Sequence, residues 1–483
     1  MSRRTTFALL VALVVGLVPL GGGIGSAVNC PDVSPEPLSF APPKYIDRQR
    51  AGGEPVSIVA QDGSISVSAH AGTTHVYKDP EGAAGARDFA VGYTNQTLNW
   101  RSVDDGETWE YIGLLGQREG PHSATSTGFS DPDFAIDAGG RIYNTEIDLA
   151  NVAVFSSTDD GQSYPFANPE AASGDRPWLT GGEKDEVYLY VNLPRQLWRS
   201  NNGGLTFTLL PSPPINAKAF ADPRNPTQGL IGPVSKNGIA ISSNKGQSWT
   251  TYNGANLGAD TNFFGVSAVD SAGHVYKAAA GGYTRSDYQS QHVANGEVTF
   301  NYFDRDKMAW GDPITIPTPR GDALWPWVTA GDDGRVAVTW YQNLEGKPNE
   351  FYIYVAYTMN GHGTTVTCED GSTQFIPPQF QVVNASGRPI HDGVICLNGT
   401  TCNVDYGADW VRGDRRLGDF FTINFDKDGE LFIASGDTML RNPLGGPKPV
   451  GNPIFIKQTG GDRMLEEPMK IRPTRCLFPL PSC

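Results

Sequence analysis

Acidic residues, arginines and tryptophans recur at one place in a series of short repeated segments, namely the start of a predicted strand. These residues are Asp131, Asp133, Asp175, Arg176, Asp222, Arg224, Trp325, Trp327, Arg415, Arg416 and Asp419. A second set follows the next strand of each segment and comprises Glu146, Asp148, Tyr341, Gln342, Asn343 and Asp437. Carboxylates transfer protons, arginines pair with anionic groups, and tryptophans stack on sugar rings. The two sets therefore predict a carbohydrate site, provided that the fold brings them together.

Three of these residues are the candidates for catalysis: Glu146, which directly follows a strand, Tyr341 and Asp131. The candidates for substrate binding are Asp175, Arg176, Asp222, Arg224, Trp325, Trp327, Arg415, Arg416 and Asp419. Each residue type also has a purely structural alternative. An aspartate at a strand start often binds turn amides, a tryptophan on a strand often belongs to the core, and paired arginines often form surface ion pairs.

One turn pattern, Ser-x-Asp/Asn-x-Gly-x-Ser/Thr-aromatic, occurs four times between residues 102 and 249. Its copies cover residues 102–109, 157–164, 200–207 and 242–249. The Asp or Asn side chain can accept hydrogen bonds from backbone N–H groups, and the glycine supplies a positive φ. The pattern therefore predicts a hairpin turn that returns the chain into a neighbouring strand.

A longer element, strand–Gly turn–strand, precedes each copy of the turn, and it recurs without the turn later in the chain. Successive starts at 131, 175 and 222 are separated by about 45 residues, which is typical of a four-stranded propeller blade. The sequence predicts an all-β protein, a single β-propeller of seven blades or alternatively six. We expect a propeller over residues 55–460, an N-terminal extension over 28–54 and a C-terminal tail with a cysteine pair over 461–483.

The four turns resemble the Asp-box, or BNR repeat, of the sialidase family, and the likeness extends over roughly residues 50–460. The resemblance implies a secreted propeller with a carbohydrate-facing site and exo-glycosidase chemistry on a terminal sugar of an extracellular glycan. The family's Phe/Tyr-Arg-Ile-Pro motif has no match in this chain. The alternative is a non-catalytic propeller that binds a carbohydrate or a protein through the same face.

The composition limits the kinds of molecule that the protein could bind. The net charge of −15 opposes binding to nucleic acid, and no stretch after the N-terminus is apolar enough to span a membrane. Arg3 and Arg4 precede an apolar run and a small-residue stretch that ends at Ala27, which predicts a signal peptide over residues 1–27, and hence secretion, rather than a membrane anchor. We expect a monomer with a glycan as its partner.

Six cysteines in an exported chain indicate disulfides. Spacing favours Cys396 with Cys402 and Cys476 with Cys483, which leaves Cys30 with Cys368, although six cysteines allow 15 pairings. The sequence predicts no organic cofactor, and no zinc, nucleotide or Ser/His/Asp motif occurs. Aspartates that point into one channel could hold Ca²⁺, so the metal ligands are left unknown.

Overall fold

The chain folds into short β-strands, because β-branched and aromatic residues alternate with turns rich in Gly, Asp and Asn. The computed structural model describes residues 29–70, 97–115, 131–148, 151–235, 237–255, 257, 265–281, 296–395, 397, 414, 416–441 and 451–472. These residues form 33 strands and no α-helix. Within the same ranges, no helix has the length and apolarity needed to cross a membrane.

The chain divides into two compact units. The described part of the smaller unit consists of residues 29–32 and 365–375. It contains a disulfide between Cys30 and Cys368, which are 338 residues apart in sequence. The long-range pairing predicted from the cysteine spacing is thus confirmed, whereas the other four cysteines lie outside the described residues. The larger unit comprises residues 33–364 and 376–483.

The larger unit is a seven-bladed β-propeller, as the repeats predict. Its first two strands, β1 (Ser39–Phe40) and β2 (Lys44–Tyr45), belong to the last blade. Blade 1 contains β3 (Gly53–Val59), β4 (Ile65–His70), β5 (Leu98–Ser102) and β6 (Glu110–Leu114). Blade 2 contains β7 (Asp133–Ile136), β8 (Ile142–Asp148), β9 (Asn151–Ser157) and β10 (Phe166–Ser173). Blade 3 contains β11 (Asp175–Gly181), β12 (Val187–Leu193), β13 (Gln196–Ser200) and β14 (Thr208–Leu209).

The remaining blades follow the same antiparallel order. Blade 4 contains β15 (Phe220–Ala221), β16 (Leu230–Val234), β17 (Gly238–Ser242) and β18 (Thr250–Asn253). Blade 5 contains β19 (Val266–Val269), β20 (Val275–Gly281), β21 (Glu297–Asp304), β22 (Ala309–Trp310) and β23 (Ile314–Ile316). Blade 6 contains β24 (Ala323–Ala330), β25 (Val336–Leu344), β26 (Lys347–Thr358), β29 (Gln381–Asn384) and β30 (His391–Asp392). The hairpin of β27 (Thr364–Thr367) and β28 (Thr373–Ile376) lies between β26 and β29 in the chain.

Blade 7 closes the ring by combining both ends of the chain. It contains β31 (Thr422–Phe425), β32 (Leu431–Asp437) and β33 (Asn452–Gly460), and β1 and β2 pair with the outer side of β33. The segment predicted as an N-terminal extension therefore supplies strands to the last blade. Inner strands of successive blades contact one another within blades 1–4 and within blades 5–7, β16 contacts β19 between blades 4 and 5, and β31 contacts β3.

The inner strands surround a central channel that has two different ends. All inner strands begin at one end, called the mouth from here on, and second strands such as β4 and β8 finish there because the pairing is antiparallel. The opposite end, called the turn face, carries the hairpins between first and second strands. Side chains at inner-strand starts are thereby placed around the mouth.

Four turns between the third and fourth strands of blades 1–4 share one hydrogen-bond pattern. In the second copy, the Ser157 hydroxyl donates to Asp159 Oδ1 (2.6 Å) and accepts the Gly161 N–H (2.9 Å). Asp159 Oδ1 also accepts the Ser163 N–H at 3.0 Å. Gly161 has φ +80°, which a side chain would disfavour. The predicted turn geometry is therefore present, and it positions the outer strands of these blades.

Candidate functional site

Charged side chains from four blades meet at the mouth. This group, called the acidic cluster from here on, comprises Glu54 in β3, Asp131 before β7, Asp175 and Arg176 in β11, and Asp419 before β31. Arg176 Nη2 lies 3.5 Å from Asp419 Oδ2. The Asp419 N–H donates to Glu54 Oε1 at 2.7 Å. Glu54 lies close enough to Asp131 for its negative charge to raise the pKa of the Asp131 carboxyl.

The backbone at these positions has an uncommon conformation that repeats from blade to blade. Glu54, Asp131, Arg176 and Trp325 have φ between +50° and +58°, and each directly precedes a proline. In blades 1 and 6 the strand pairing is also irregular at this step. Non-glycine residues with positive φ store strain and are concentrated at functional sites. At these four positions the positive φ points the side chain in a direction that differs from the regular up-and-down alternation along a strand.

A glycine in blade 7 makes room for Glu54. Gly418 has φ +78°, and a β-carbon at this position would collide with the Glu54 side chain. The absence of a side chain at Gly418 lets the Asp419 N–H reach Glu54. Blades 1 and 7 are thus joined at the mouth through a carboxylate and a backbone amide.

Burial and like charges act together on Asp131. Its side chain is 6% exposed, and its pKa is raised well above the usual value by burial and by the negative charges of Glu54 and Asp175, against the opposing effect of Arg176. All three influences that raise the pKa favour the protonated form of Asp131 over the charged form.

His70, the last residue of β4, lies behind Glu54. Its Nε2 atom is 3.2 Å from Glu54 Oε2, and both residues are 1% exposed. The position follows from the strand pairing, in which Gly53 is opposite His70. His70 therefore belongs to the interior of blade 1, where it contacts the Glu54 side chain of the acidic cluster.

Three aromatic rings lie next to the acidic cluster and contact one another across the channel. This group, called the aromatic floor from here on, consists of Trp178 from blade 3, Trp327 from blade 6 and Phe420 from blade 7. The Trp327 and Phe420 rings are stacked with centroids 5.5 Å apart, and the Trp178 centroid is 5.5 Å from Phe420 and 6.1 Å from Trp327. Trp178 is two residues further along β11 than Arg176, a rise of about 7 Å.

Below the aromatic floor the channel contains a cavity of about 280 Å³ that is lined by residues from all seven blades. Lys218 lines this cavity and binds the Asp133 carboxylate with two contacts of 2.7 and 2.8 Å. Its third hydrogen bond goes to the Phe134 carbonyl at 2.8 Å. The Lys218 ammonium is thus fully hydrogen bonded, and this ion pair joins the inner part of blade 2 to the segment before blade 4.

The structure brings part of the predicted site together. Asp131, Asp175, Arg176 and Asp419 meet in the acidic cluster, and Trp327 belongs to the aromatic floor. These five residues all lie at or near inner-strand starts, as the repeat pattern requires.

Asp222 and Arg224 lie at the other end of the channel, which corrects their predicted position. The inner strand β15 ends at Ala221, so Asp222 follows this strand and faces the hairpin on the turn face. Asp222 accepts the Arg224 N–H at 3.0 Å and pairs with Arg305 at 3.0 Å. An Asp-Pro-Arg sequence resembles the strand starts but here forms a turn stabilised by the aspartate, which is a common role of Asp.

Tyr341 and Trp325 lie in the core between blades 6 and 7, and both are 0% exposed. The Tyr341 ring is stacked on Phe421 at 4.0 Å, and its hydroxyl is 2.8 Å from Ser435 Oγ. Burial raises the pKa of the Tyr341 hydroxyl far above its usual value. These contacts are those of a packing residue.

Three further predicted residues remain. Glu146 and Arg416 are buried and bind neighbouring groups of the protein, and Arg415 is not among the residues that the structure describes. Glu146 is 3% exposed, and its Oε2 atom accepts hydrogen bonds from the Thr97 N–H (2.8 Å) and hydroxyl (3.1 Å). Glu146 therefore joins blade 2 to blade 1 near the mouth. Arg416 is 3% exposed and forms an ion pair with Asp414. Arg415 lies outside the described residues.

Glu54 and His70 are the members of the site that the sequence reasoning missed. The predicted propeller begins at Pro55, one residue after Glu54. A charged residue directly before a proline begins the inner strand in Glu54-Pro55, Asp131-Pro132 and Arg176-Pro177. This shared pattern could have identified Glu54. His70 carries no such signal, because a single histidine at a strand end has no pattern around it.

One group of side chains on the turn face has the composition of a metal site. His274, His362 and Asp333 place ligand atoms close together, and the two imidazole rings are stacked with centroids 4.1 Å apart. His274 Nδ1, however, accepts the Arg305 N–H at 3.2 Å. A metal-bound histidine normally donates a hydrogen bond through its other nitrogen, and parallel rings do not direct their lone pairs at one ion. This arrangement fits metal binding poorly.

Comparisons with known proteins do not assign the chain to a family. No protein-family model matches it, and no curated protein matches it significantly. Among solved structures, a protein of unknown function from Dyadobacter fermentans is similar, with 16% identity, a TM-score of 0.39, and coverage of 66% of this chain and 98% of that one. A GH74 enzyme from Niastella koreensis has 15% identity and a TM-score of 0.44, with coverage of 85% of this chain and 62% of that one.

A third similar structure is the NanB sialidase from Streptococcus pneumoniae, with 12% identity, a TM-score of 0.38, and coverage of 86% of this chain and 70% of that one. This chain spans less than two thirds of the GH74 enzyme. At these identities and TM-scores, the similarities carry no conclusion about activity.

Proposed function

We propose that the protein is an exported glycoside hydrolase of the sialidase-like type that acts on a terminal sugar of an extracellular glycan or polysaccharide. The observation that carries the proposal is the acidic cluster beside the aromatic floor. A proton donor, a second carboxylate and aromatic rings in one place are the groups that glycoside hydrolysis requires.

Asp131 is the proton donor in this proposal, because burial and the neighbouring carboxylates raise its pKa and so favour its protonated form. It transfers its proton to the glycosidic oxygen as the bond from that oxygen to the anomeric carbon breaks. Water supplies the hydroxyl group that the anomeric carbon gains. The proton that this water loses passes to the protein, and Asp175, the partly exposed carboxylate of the neighbouring blade, is the acceptor.

The aromatic floor accounts for the choice of a terminal sugar. The three rings contact one another across the channel, so a polysaccharide chain cannot pass through it. A sugar that enters from the mouth would stack on Trp327 with its chain directed outwards. The Arg176 side chain is 16% exposed and can pair with an anionic group on such a sugar.

Hydrolysis of a panel of aryl glycosides, with and without a carboxylate on the sugar, tests the proposal. We expect the wild-type protein to cleave at least one of them, and Asp131→Asn to lower kcat/KM by about 10²- to 10⁴-fold. Asp175→Asn should be similarly impaired. Glu146→Gln is the matched control, because this carboxylate is buried near the mouth but holds Thr97.

Two results would count against this function. Activity that Asp131→Asn and Asp175→Asn retain would exclude the assigned groups. A wild-type protein that binds glycans but cleaves no member of the panel would support the alternative, a carbohydrate-binding propeller that uses the same mouth.

A further inference from the structure

We propose that the cavity below the aromatic floor is a second binding site, which takes an uncharged molecule of one ring that carries a hydrogen-bonding group. This site is separate from the acidic cluster and does not rest on the proposed function. A ligand reaches it from the turn face. Its wall has an uncommon feature at the place where blade 4 meets blade 5.

The inner strand of blade 4 is shorter than those of the other blades. β15 has two residues, whereas the other six inner strands have four to eight. Blade 5 contacts β16, the second strand of blade 4, through its inner strand β19. Ala217 and Lys218, which precede β15, line the cavity opposite Gly265. A short strand, a small side chain and a glycine leave space in the channel here.

The cavity extends from the aromatic floor to the turn face. Trp178 and Trp327 of the aromatic floor line one end. The other end is lined by the last residues of three inner strands, namely Val269, Ala330 and Phe425. Inner strands finish at the turn face, so a ligand enters from that side. The contacting rings of the aromatic floor separate it from the mouth.

The charges in the cavity favour an uncharged ligand. Among the described residues that line it, Asp133 and Lys218 are the charged ones, and they pair with each other at 2.7 Å. Asp133 Oδ2 also accepts the Leu179 N–H at 2.7 Å, and the Lys218 ammonium donates to the Phe134 carbonyl at 2.8 Å. A charged ligand would lose its hydration without gaining a partner of opposite charge, which is costly in a confined space.

The other lining residues favour a ring with a polar group. Four aromatic side chains line the cavity, namely Trp178, Phe220, Trp327 and Phe425. Ser267 also lines it and is 8% exposed, and its hydroxyl makes no hydrogen bond to any part of the chain that the structure describes. A buried hydroxyl without a partner is costly, so a ligand that binds it gains affinity. The volume of about 280 Å³ is near the lower end for ligand pockets and fits a single ring.

Three probes of the same shape test the choice of ligand class: benzamide is uncharged, benzoate is an anion and benzamidinium is a cation. Isothermal titration calorimetry of the protein at pH 7 measures each affinity. We expect benzamide to bind and both charged probes to bind at least about 10-fold more weakly. Toluene has the ring without the polar group and should bind about 3- to 10-fold more weakly than benzamide, because it leaves the Ser267 hydroxyl unpaired.

Variants of the lining residues test the location of the site. Ser267→Ala should weaken benzamide binding by about 3- to 10-fold, the value of one neutral hydrogen bond. Ser173→Ala changes an exposed serine on the outer strand of blade 2, so it is the matched control and should leave the affinity unchanged. Thr329→Phe places a large side chain in the cavity and should abolish binding. Near-UV circular dichroism establishes that each variant is folded.

Crystals soaked with 4-bromobenzamide locate the ligand directly, because anomalous scattering identifies the bromine. We expect the bromine in the channel below the aromatic floor, with the amide group beside Ser267. Bromine density at the mouth would assign the ligand to the acidic cluster instead and would overturn the proposal.

Two calorimetric results would also overturn it. A wild-type protein that does not bind benzamide would mean that the cavity holds only water. Equal affinities for the charged and uncharged probes, or benzamide binding that both Ser267→Ala and Thr329→Phe retain, would exclude the assigned groups. A protein that binds benzamide as expected but cleaves no glycoside would uphold this site and reject only the hydrolase.

Discussion

At the scale of single residues, the burial of Asp131 bears on both stability and the proposed chemistry. Burial and the negative charges of Glu54 and Asp175 raise the pKa of Asp131 and favour its neutral form at the crowded mouth. A raised pKa is also what the proposed role as a proton donor requires. Site chemistry and stability are therefore linked through one ionisation.

Asp131→Asn should make the protein more stable at neutral pH. Because the pKa of Asp131 is higher in the folded protein than in the unfolded chain, stability decreases as the pH rises from about 3.9 through the folded value. Asparagine does not ionise, so the variant avoids this loss, which amounts to about 1.4 kcal/mol per unit of pKa shift. Calorimetry from pH 4 to 8 should show that the difference in melting temperature between Asp131→Asn and the wild-type protein increases with pH. A constant difference would contradict the prediction.

His391 should control stability on the acid side. It is fully buried, 2.8 Å from the Thr438 hydroxyl, and burial lowers its pKa to about 4. The unfolded chain takes up this proton below about pH 6.5, so stability falls between pH 6.5 and 4, by on the order of 3 kcal/mol. The slope of the melting temperature against pH should be clearly smaller in His391→Gln. An unchanged slope would rule out this residue as its cause.

At the scale of elements, two short motifs build each early blade. The serine-containing turn returns the chain to the outer strand by local hydrogen bonds. In blades 1–3 the positive-φ residue before proline sits at the other end of the blade and belongs to the acidic cluster. One motif serves the architecture and the other carries residues of the proposed site, which explains why the more frequent motif lies far from that site.

Ser157→Ala should destabilise blade 2 without affecting the mouth. The variant leaves the buried Gly161 N–H without its acceptor, at a cost of about 1 to 2 kcal/mol. Ser163→Ala, in the exposed part of the same turn, is the matched control and should cost less. Urea denaturation measures both. Equal losses in the two variants would show that burial of the Gly161 amide is not decisive.

At the scale of the whole molecule, the ring is closed by pairing between the two ends of the propeller chain. Residues Ser39–Phe40 and Lys44–Tyr45 form the outer edge of blade 7 and cover β33. The acidic cluster needs this closure, because Asp419 of blade 7 contacts Glu54 of blade 1. The geometry of the mouth therefore depends on contacts made at the rim of the propeller.

A chain that begins at Ile46 should melt at a temperature several degrees lower and tend to associate. Its strand β33 would expose unpaired backbone groups at a sheet edge, which promotes pairing between molecules. A chain that begins at Pro37 also lacks Cys30 but keeps β1 and β2, so it is the matched control. Thermal melting and light scattering compare the two. Equal melting temperatures would mean that the edge pairing contributes little.

Much of the architecture could be predicted from the sequence because it depends on local rules. The spacing of repeats sets the number of blades, and the hydrogen bonds of the turn at Ser157 join residues no more than four positions apart. Antiparallel pairing then places inner-strand starts at one end, which correctly located Asp131, Asp175 and Arg176. The prediction that these side chains share a mouth needed no long-range contact.

What the tertiary structure alone decided is the direction and the partner of each side chain. A shift of one residue reverses the face to which a strand residue points, so the sequence could not show that Tyr341 faces the core. Nor could it show that Asp222 follows the inner strand of blade 4 instead of beginning it. Glu54 and Asp131 belong to two blades, and the raised pKa of Asp131 depends on burial that exists only once the ring is closed. Local spacing determined the ring of blades, whereas long-range burial and charge determined the ionisation of the side chains at its mouth.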